Sequence, residues 1–369
     1  MLNALTDQSG SGVRFWGIAQ ELAQLGHSVF FIERTVKKNG RANSRAVGYD
    51  STLDTGLLWL DILRATLFNI RRGLPLRPHL VFVLKPFPNT CIPALLFKKI
   101  LGSKIILDVD DLDFAYYSRG LMHVLAHMCF KVFPPRFDFV TTHNLLLESI
   151  LRHQVNIVSN KIFFFPQGIN TEQFAQAKPN RRYQEKWHLT RRDKVLIYCA
   201  SLGITSDFED LLPALVEFLN GSHDVKVLVV GDGIKKQHLV GRVAAHGLKE
   251  RVIFTGYVPH SDMPGVLKLA NIGLNYMAPT LANQCRASIK IREYLAAGLQ
   301  VVSNPVGEAE VFKDYVTLCP RIEDFPKAMK EMLQEGSAAR NKKASAFLAR
   351  NFSWSFLVKD FLNHVFNSN

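Results

Sequence analysis

Cysteine is scarce in this 369-residue chain: Cys91, Cys129, Cys199, Cys285 and Cys319 are an odd number with no CxxC pair. That spacing excludes a disulfide framework and points to a reducing, cytosolic compartment. Also missing is any apolar run of the roughly 18–20 residues that a membrane-spanning helix needs, and no secretory signal is visible. Acidic charge is short as well, with 32 Asp and Glu against 45 Lys and Arg, a net charge of +13. The deficit is spread evenly: 19 basic face 13 acidic residues through Glu172, and 26 face 19 beyond it. An even spread argues against a nucleic-acid domain or a basic tail, and fits acidic small substrates or an anionic membrane surface. Fixed-period repeats and low-complexity tracts are lacking too. What remains is an ordinary globular composition, 47% apolar and 21% charged, in a chain long enough for two domains with separate cores.

Apolar patterning alternates between helix and strand. Residues 1–12 read as a loop, 13–25 as a helix stopped at Gly26, and 27–33 as a strand. A Gly-rich loop feeding a helix normally follows a strand, and here there is scarcely room for one. The first strand is therefore expected either as a stub near residues 2–5 or as missing because the chain starts late, with the second preferred. Residues 37–51 are polar and basic and read as a loop. Helices at 57–71, 92–101, 121–133 and 145–153 then separate strands at 79–84, 104–108, 137–142 and 161–165. Short, continuously apolar strands between helices indicate a parallel sheet covered on both faces. A basic segment at 178–192 interrupts the rhythm, and the alternation restarts at Lys194. The expected division is 1–172, 173–351, and a C-terminal helical segment 352–369 that crosses back to the first domain. Two doubly wound domains of this kind place ligands in a cleft at the carboxyl ends of their strands.

The most informative stretch is 287–298, read as a helix that starts at Ser288 and stops at Gly298. Arg286, Lys290 and Arg292 lie at its start, where acids are normally preferred because the free N–H groups are already positive. Cations there suit a bound anion, a phosphate above all. Glu293, three residues past Lys290, shares much of its face and suits ribose hydroxyls. The plainer alternative is an amphipathic helix with a solvated basic face.

Several segments, in order, resemble the GT-B glycosyltransferases of family 4, the nucleotide-sugar-dependent retaining group. Gly10-Ser-Gly12 precedes a helix ending in Gly26-His-Ser-Val29. Pro166-Gln-Gly-Ile-Asn-Thr-Glu-Gln-Phe174 is similar to the family's crossover segment. Val230-Gly-Asp-Gly233 and Phe254-Thr-Gly-Tyr-Val-Pro259 follow in register, then Ser288–Gly298 with Val301-Val302, and Gly307-Glu308-Ala-Glu310. The resemblance spans nearly the whole chain. It implies an α/β GT-B fold of two Rossmann-like domains and transfer of a sugar from a nucleoside diphosphate donor to a glycan or lipid-linked acceptor. It further implies Glu293 at the ribose, with Ser288, Ile289, Lys290 and Arg286 at the diphosphate. Gly231, Tyr257 and Ser201 would border the nucleotide, and Gly10, Gly12 and Arg14 would lie on the acceptor or diphosphate side. No cofactor and no metal are expected, and no nucleic acid is expected as partner.

Departures from the family leave an alternative open. Cys285 stands where the family's first glutamate belongs, and Ser201, with Ser206 or Asp207, stands where an Arg and a Lys normally hold phosphate. A catalytically inactive GT-B-like binding or partner subunit fits these losses. The acidic run Asp108-Val-Asp-Asp-Leu-Asp113 contains a DxD pattern. In a GT-B context it suits a polar role at acceptor or sugar, with Asp110 and Asp111 as weak catalytic candidates, or simple helix capping. His123 and His127, four apart, could pair on a zinc but lack a third ligand nearby. Two basic, aromatic-bearing stretches, 57–77 and 119–136, could lie on the cytoplasmic face of an anionic membrane, as a peripheral protein would.

Overall fold

The computed structural model describes residues 1–3, 10–35, 47–53, 55–117, 120–190, 192–203, 206–334 and 338–367. The chain divides into two compact units. The first comprises Met1–Gly168, Cys285–Ala287 and Trp354–Asn369; the second comprises Ile169–Gln284 and Ser288–Ser353.

The first unit runs β1 (Leu2–Asn3), α1 (Gly10–Gln24), β2 (Val29–Thr35), β3 (Val47–Leu53), α2 (Leu58–Gly73), β4 (Leu80–Leu84) and α3 (Pro88–Leu101). It continues with β5 (Lys104–Asp108), α4 (Leu121–Val132), β6 (Phe139–Thr142), α5 (Leu145–Gln154) and β7 (Ile162–Phe164). All seven strands are parallel, in the order β3-β2-β1-β4-β5-β6-β7. Local chemistry sets the helix limits. Pro88 occupies the first turn of α3, where its missing N–H costs nothing, and Gly102 ends it at φ +70°. Asn144 caps α5 by accepting from the N–H groups of Leu146 and Leu147.

Three expectations change here. The first strand is present as the stub β1, hydrogen-bonded between β2 and β4. Gly10 and Gly12 belong to the first turn of α1, not to a loop. Of the stretch expected as a basic loop, residues 47–51 are in the edge strand β3, paired along its length with β2; residues 36–46 lie outside the described residues.

The second unit runs α6 (Thr171–Ala175), α7 (Arg181–Lys186), β8 (Lys194–Cys199), α8 (Phe208–Asn220), β9 (Val225–Val230), α9 (Lys236–Ala245), β10 (Val252–Gly256) and α10 (Met263–Leu267). Then follow β11 (Ile272–Asn275), α11 (Leu281–Gln284), α12 (Ile289–Ala297), β12 (Gln300–Ser303), β13 (Thr317–Leu318), α13 (Phe325–Gln334) and α14 (Ala338–Asn351). Its six strands are parallel in the order β10-β9-β8-β11-β12-β13. The basic segment 178–192 contains α7, whose Tyr183 stacks at 4.9 Å on Trp187, the residue just past the helix, in this unit's core.

The last helix, α15 (Trp354–Asn367), belongs to the first unit. It packs on α1, with Phe361 stacked on Phe165 at 5.1 Å. Gly17 of α1 leaves room for the Trp354 ring, which a Cβ there would approach to 2.5 Å.

Arg14 ties the same unit together at depth. Its guanidinium is 1% exposed and bonds both oxygens of Asp108, at 2.8 and 3.0 Å, and the carbonyls of Phe165 and Pro166. Thr141 donates to the same carboxylate at 2.6 Å. Removing one partner strands the other charge in the interior. Arg14→Leu is expected to lower stability by about 3–5 kcal/mol, and adding Asp108→Leu to recover much of it, in urea unfolding of the full chain.

Candidate functional site

In each unit the order of strands reverses at one point, between β1 and β4 in the first and between β8 and β11 in the second. Ligands of open parallel sheets bind outside the carboxyl ends of the strands at such points. Both places are polar here.

In the second unit two turns interlock beyond β8 and β9. Ala200 N–H bonds the Val230 carbonyl and Leu202 N–H bonds the Asp232 carbonyl, each at 3.0 Å. Gly231 adopts φ +139°, and a Cβ on it would stand 1.8 Å from the Ala200 carbonyl oxygen. Only glycine allows that approach. Ser201 is exposed between these contacts. Asp232 holds its carboxyl below the usual range, first through the Gly233 N–H and then through Lys236.

Helix α12 begins beside these turns. Ser288 takes the cap position, yet its hydroxyl donates to Asn275 Oδ1 at 2.9 Å and makes no bond to the helix. The cap side chain therefore leaves the first-turn N–H groups to other acceptors, at the positive end of the helix. Lys290 Nζ lies 5.0 Å from the centre of the Tyr198 ring. One turn deeper, Glu293 is 6% exposed and its Oε1 is 2.7 Å from Nε2 of the half-exposed His260. Burial pushes the Cys199 thiol up to about 12, the Tyr294 hydroxyl opposes, and Glu293 and Lys290 act on it with opposite signs. Lys290, Glu293 and the end of β8 thus share one locality.

In the first unit Lys85 follows β4 directly, with a left-handed φ of +63°. Such a backbone is uncommon for a side chain larger than Asn and persists only where its surroundings impose it. Its Nζ lies 3.0 Å from Asp110, 2.9 Å from Asp111 and 2.8 Å from Asp113, and the side chain is 2% exposed. Burial alone would lower the lysine; the three carboxylates reverse this and hold it well above its ordinary value. Burial raises Asp110 against the pull of Lys85. It also raises Asp113, to about 7, with Asp111 and Asp110 adding to the rise. Asp111 stays low despite burial, because Lys85, Arg286 and His143 all favour its charged form. The tripeptide Cys285–Ala287 completes this cluster. Arg286 lies 3.9 Å from Asp111 and faces the Tyr116 ring, and Ala287 N–H bonds His143 Nε2 at 3.2 Å.

Residues 193–335 match the family described as "Glycosyl transferases group 1". That stretch resembles a group 1 glycosyl transferase domain. A phosphatidylinositol N-acetylglucosaminyltransferase subunit from Arabidopsis thaliana is 24% identical over 279 residues, 74% of this chain. The alignment spans 58% of that relative's length. Sucrose-phosphate synthase from Thermosynechococcus elongatus superposes with a TM-score of 0.79 at 14% identity, covering 100% of this chain and 99% of that one. Anabaena HepE, solved in complex with UDP-glucose, gives 0.73 at 13% identity, with 99% of each chain covered. The fold is that of the GT-B glycosyltransferases.

Within that stretch Ser288, Ile289, Lys290 and Glu293 gather at the α12 start, and Gly231 lies on the turn beside Ser201. Tyr257 is 56% exposed just past β10. Arg286 is placed differently from its sequence neighbours, in the first unit against Asp111. Arg292 is no phosphate ligand: it is fully buried, bonded to both oxygens of Glu308 and flanked by Phe312 and Phe352. Arg14 is not on an acceptor surface either, since four of its five N–H donors are taken internally. Gly10 is exposed and Gly12 buried in α1. Asp108 is held by Arg14 and Thr141, so the DxD pattern does not present two carboxylates together. His123 Nδ1 lies 3.0 and 2.8 Å from the carbonyls of Phe114 and Tyr117, which accounts for it without zinc. Sequence reasoning missed Lys85 and His260. Both meet their partners across 25 or more residues, and no local pattern flags them.

The raised Asp113 sets a pH dependence. A carboxyl whose folded value exceeds its unfolded one contributes stability below the unfolded value that is lost as pH rises through the folded one. The thermal midpoint of the wild type is therefore expected to fall between pH 5 and pH 8, with Asp113 passing through about 7. Asp113→Asn, neutral throughout, should match wild type at about pH 3, below both values, and exceed it at pH 8.

Proposed function

We propose that this protein transfers a sugar from a nucleoside diphosphate sugar to a glycan or lipid-linked acceptor, with retention at the anomeric carbon. The observation that carries this reading is the start of α12. There a helix terminus without a side-chain cap, Lys290 and Glu293 stand together at the strand-order reversal of a unit that resembles a group 1 glycosyl transferase domain. The N–H groups and Lys290 hold the diphosphate and stabilise its charge as the glycosidic bond breaks. Glu293, steadied by His260, accepts from the ribose hydroxyls. The turn at Gly231 and the backbone at Tyr257 border the base, and Ser201 lines the phosphate side.

No metal or cofactor takes part in this scheme, because the helix terminus and Lys290 supply the positive charge at the leaving group. No base is assigned on the donor side: the departing diphosphate takes the acceptor's proton. The Lys85 cluster, with Asp110 and Asp111, receives the acceptor's hydroxyls. The setting we infer is synthesis of a cell-surface polysaccharide or glycolipid at the cytoplasmic face of a membrane. The phosphatidylinositol transferase relative supports a lipid-linked acceptor, and the HepE complex supports a uridine diphosphate sugar as donor class.

One observation favours a second reading, a GT-B-like binding subunit without turnover. Cys285 is fully buried in the first unit's core, and burial pushes its thiol up to about 12. It cannot replace a carboxylate at the sugar.

A panel of nucleoside diphosphate sugars, read by thermal shift and by donor hydrolysis or transfer, separates the two. The enzyme reading expects one donor class to stabilise the protein and to turn over. Lys290→Ala should weaken that donor about 10–100-fold, the loss of one charge-assisted contact. Glu293→Ala should weaken ribose-bearing nucleotides and leave 2′,3′-dideoxy analogues unaffected. Turnover absent across the panel, together with tight binding to another transferase, would select the second reading.

A further inference from the structure

Helix α2 is built inside out. The residues it turns inward are polar or small: Asp61, Ala65, Thr66, Asn69 and Gly73 are buried. Outward stand Trp59, Leu60, Leu63 and Leu67, exposed by 59%, 43%, 55% and 57%. Its buried polar groups are satisfied close by. Asp61 accepts from the Thr55 N–H and hydroxyl and from the Gly56 N–H. Asn69 donates to the Asn89 carbonyl at 2.8 Å, and Thr66 to the Ile62 carbonyl at 2.7 Å. A helix that faces water shows the opposite pattern. Exposed apolar patches of this kind mark interaction surfaces.

The neighbouring helices continue the surface. Phe68 of α2, Phe97 of α3 and Phe130 of α4 pack into one core cluster, so the three helices form one layer and their outer sides look the same way. Ile92 and Ile100 of α3 are exposed, as are Leu121, Val124, Met128 and Val132 of α4.

Charge selects what this layer meets. From Gly56 to Phe137 the chain has eleven basic residues and five acids, namely Asp61, Asp108, Asp110, Asp111 and Asp113. Asp61 is bonded beneath α2, Asp108 belongs to Arg14, and the other three surround Lys85. Arg64, Arg71, Arg77, Lys99, Lys131 and Arg136 are exposed. The layer therefore presents apolar side chains and cations with no exposed acid among its described residues. A soluble protein partner matches such a face only if it is itself acidic and apolar throughout. An anionic bilayer offers phosphates to the arginines, hydrocarbon to the leucines and an interface to the Trp59 ring.

We propose that the α2–α4 layer docks the first unit onto an anionic lipid bilayer, with α2 lying in the headgroup plane and Trp59, Leu63 and Leu67 inserted. No described helix is long and apolar enough to cross a membrane. This inference rests on the proposed function only for its purpose, delivery of a lipid-linked acceptor, and its test runs without donor.

The full chain is sedimented with vesicles of phosphatidylcholine alone and of phosphatidylcholine with phosphatidylglycerol. Binding is expected to the anionic vesicles only, and to fall as salt rises. Leu63→Glu with Leu67→Glu should abolish it, and Arg64→Glu with Arg71→Glu should reduce it at least about tenfold. Because these side chains face outward, circular dichroism and thermal midpoint should stay at wild-type values in both variants. Equal binding to both vesicle types, no binding, or binding unchanged by the variants overturns the proposal. So does a lipid-free dimer that Leu63→Glu with Leu67→Glu dissociates, since that assigns the face to a second copy. Vesicle binding that persists in Lys290→Ala while donor binding fails keeps this proposal separate from the reading of the donor site.

Discussion

Helix α12 is held from behind by a buried ion pair. Arg292 and Glu308 bond through both oxygens, one contact at 2.6 Å, with the guanidinium flanked by Phe312 at 5.0 Å and Phe352 at 4.5 Å. Charges removed from water persist only when fully paired, and a pair in this geometry leaves the helix little freedom to rotate or slide. Everything assigned to the donor depends on that anchorage. Lys290 and Glu293 present themselves at the end of β8 because Arg292, on the reverse of the same helix, cannot move.

The Lys85 cluster works by a different balance. One cation serves three carboxylates, and Arg286 adds a second positive charge at the margin. With fewer cations than acids, burial raises both Asp110 and Asp113, the latter to about 7, while Asp111 stays low. A proton held near neutrality beside hydrogen-bonding carboxylates suits a place where hydroxyls are gripped.

Much of this was legible in the residues, and the rest fails for identifiable reasons. Continuous apolar runs such as Leu80–Leu84 and Val225–Val230 announce parallel strands, and Gly102 and Gly298 announce helix ends. The turn at Gly231 and the start of α12 were readable because glycine and capping positions carry local meaning. Arg292 was misjudged, although helical period already placed it about 200° from Lys290. Edge strand β3 was missed because Val47-Gly-Tyr-Asp-Ser-Thr-Leu53 is polar, as an edge strand can be. Arg14, read on the acceptor or diphosphate side, was misplaced, and Lys85 and His260 were not read at all, since their partners lie 94, 25 to 28 and 33 residues away. Inverted α2 was half seen: its basic, aromatic content stood out, but which side faced the core did not.

The chain passes from one unit to the other four times, after Gly168, Gln284, Ala287 and Ser353. A fragment cut to the family limits 193–335 would carry the Cys285–Ala287 tripeptide away from the core it fills. It would also lack Phe347 and Phe352, and with them one of the two rings beside Arg292. The two halves are interleaved in sequence, so neither can be excised, swapped or duplicated as a continuous gene segment. Recombination that exchanged the first unit alone would have to move three separate pieces at once.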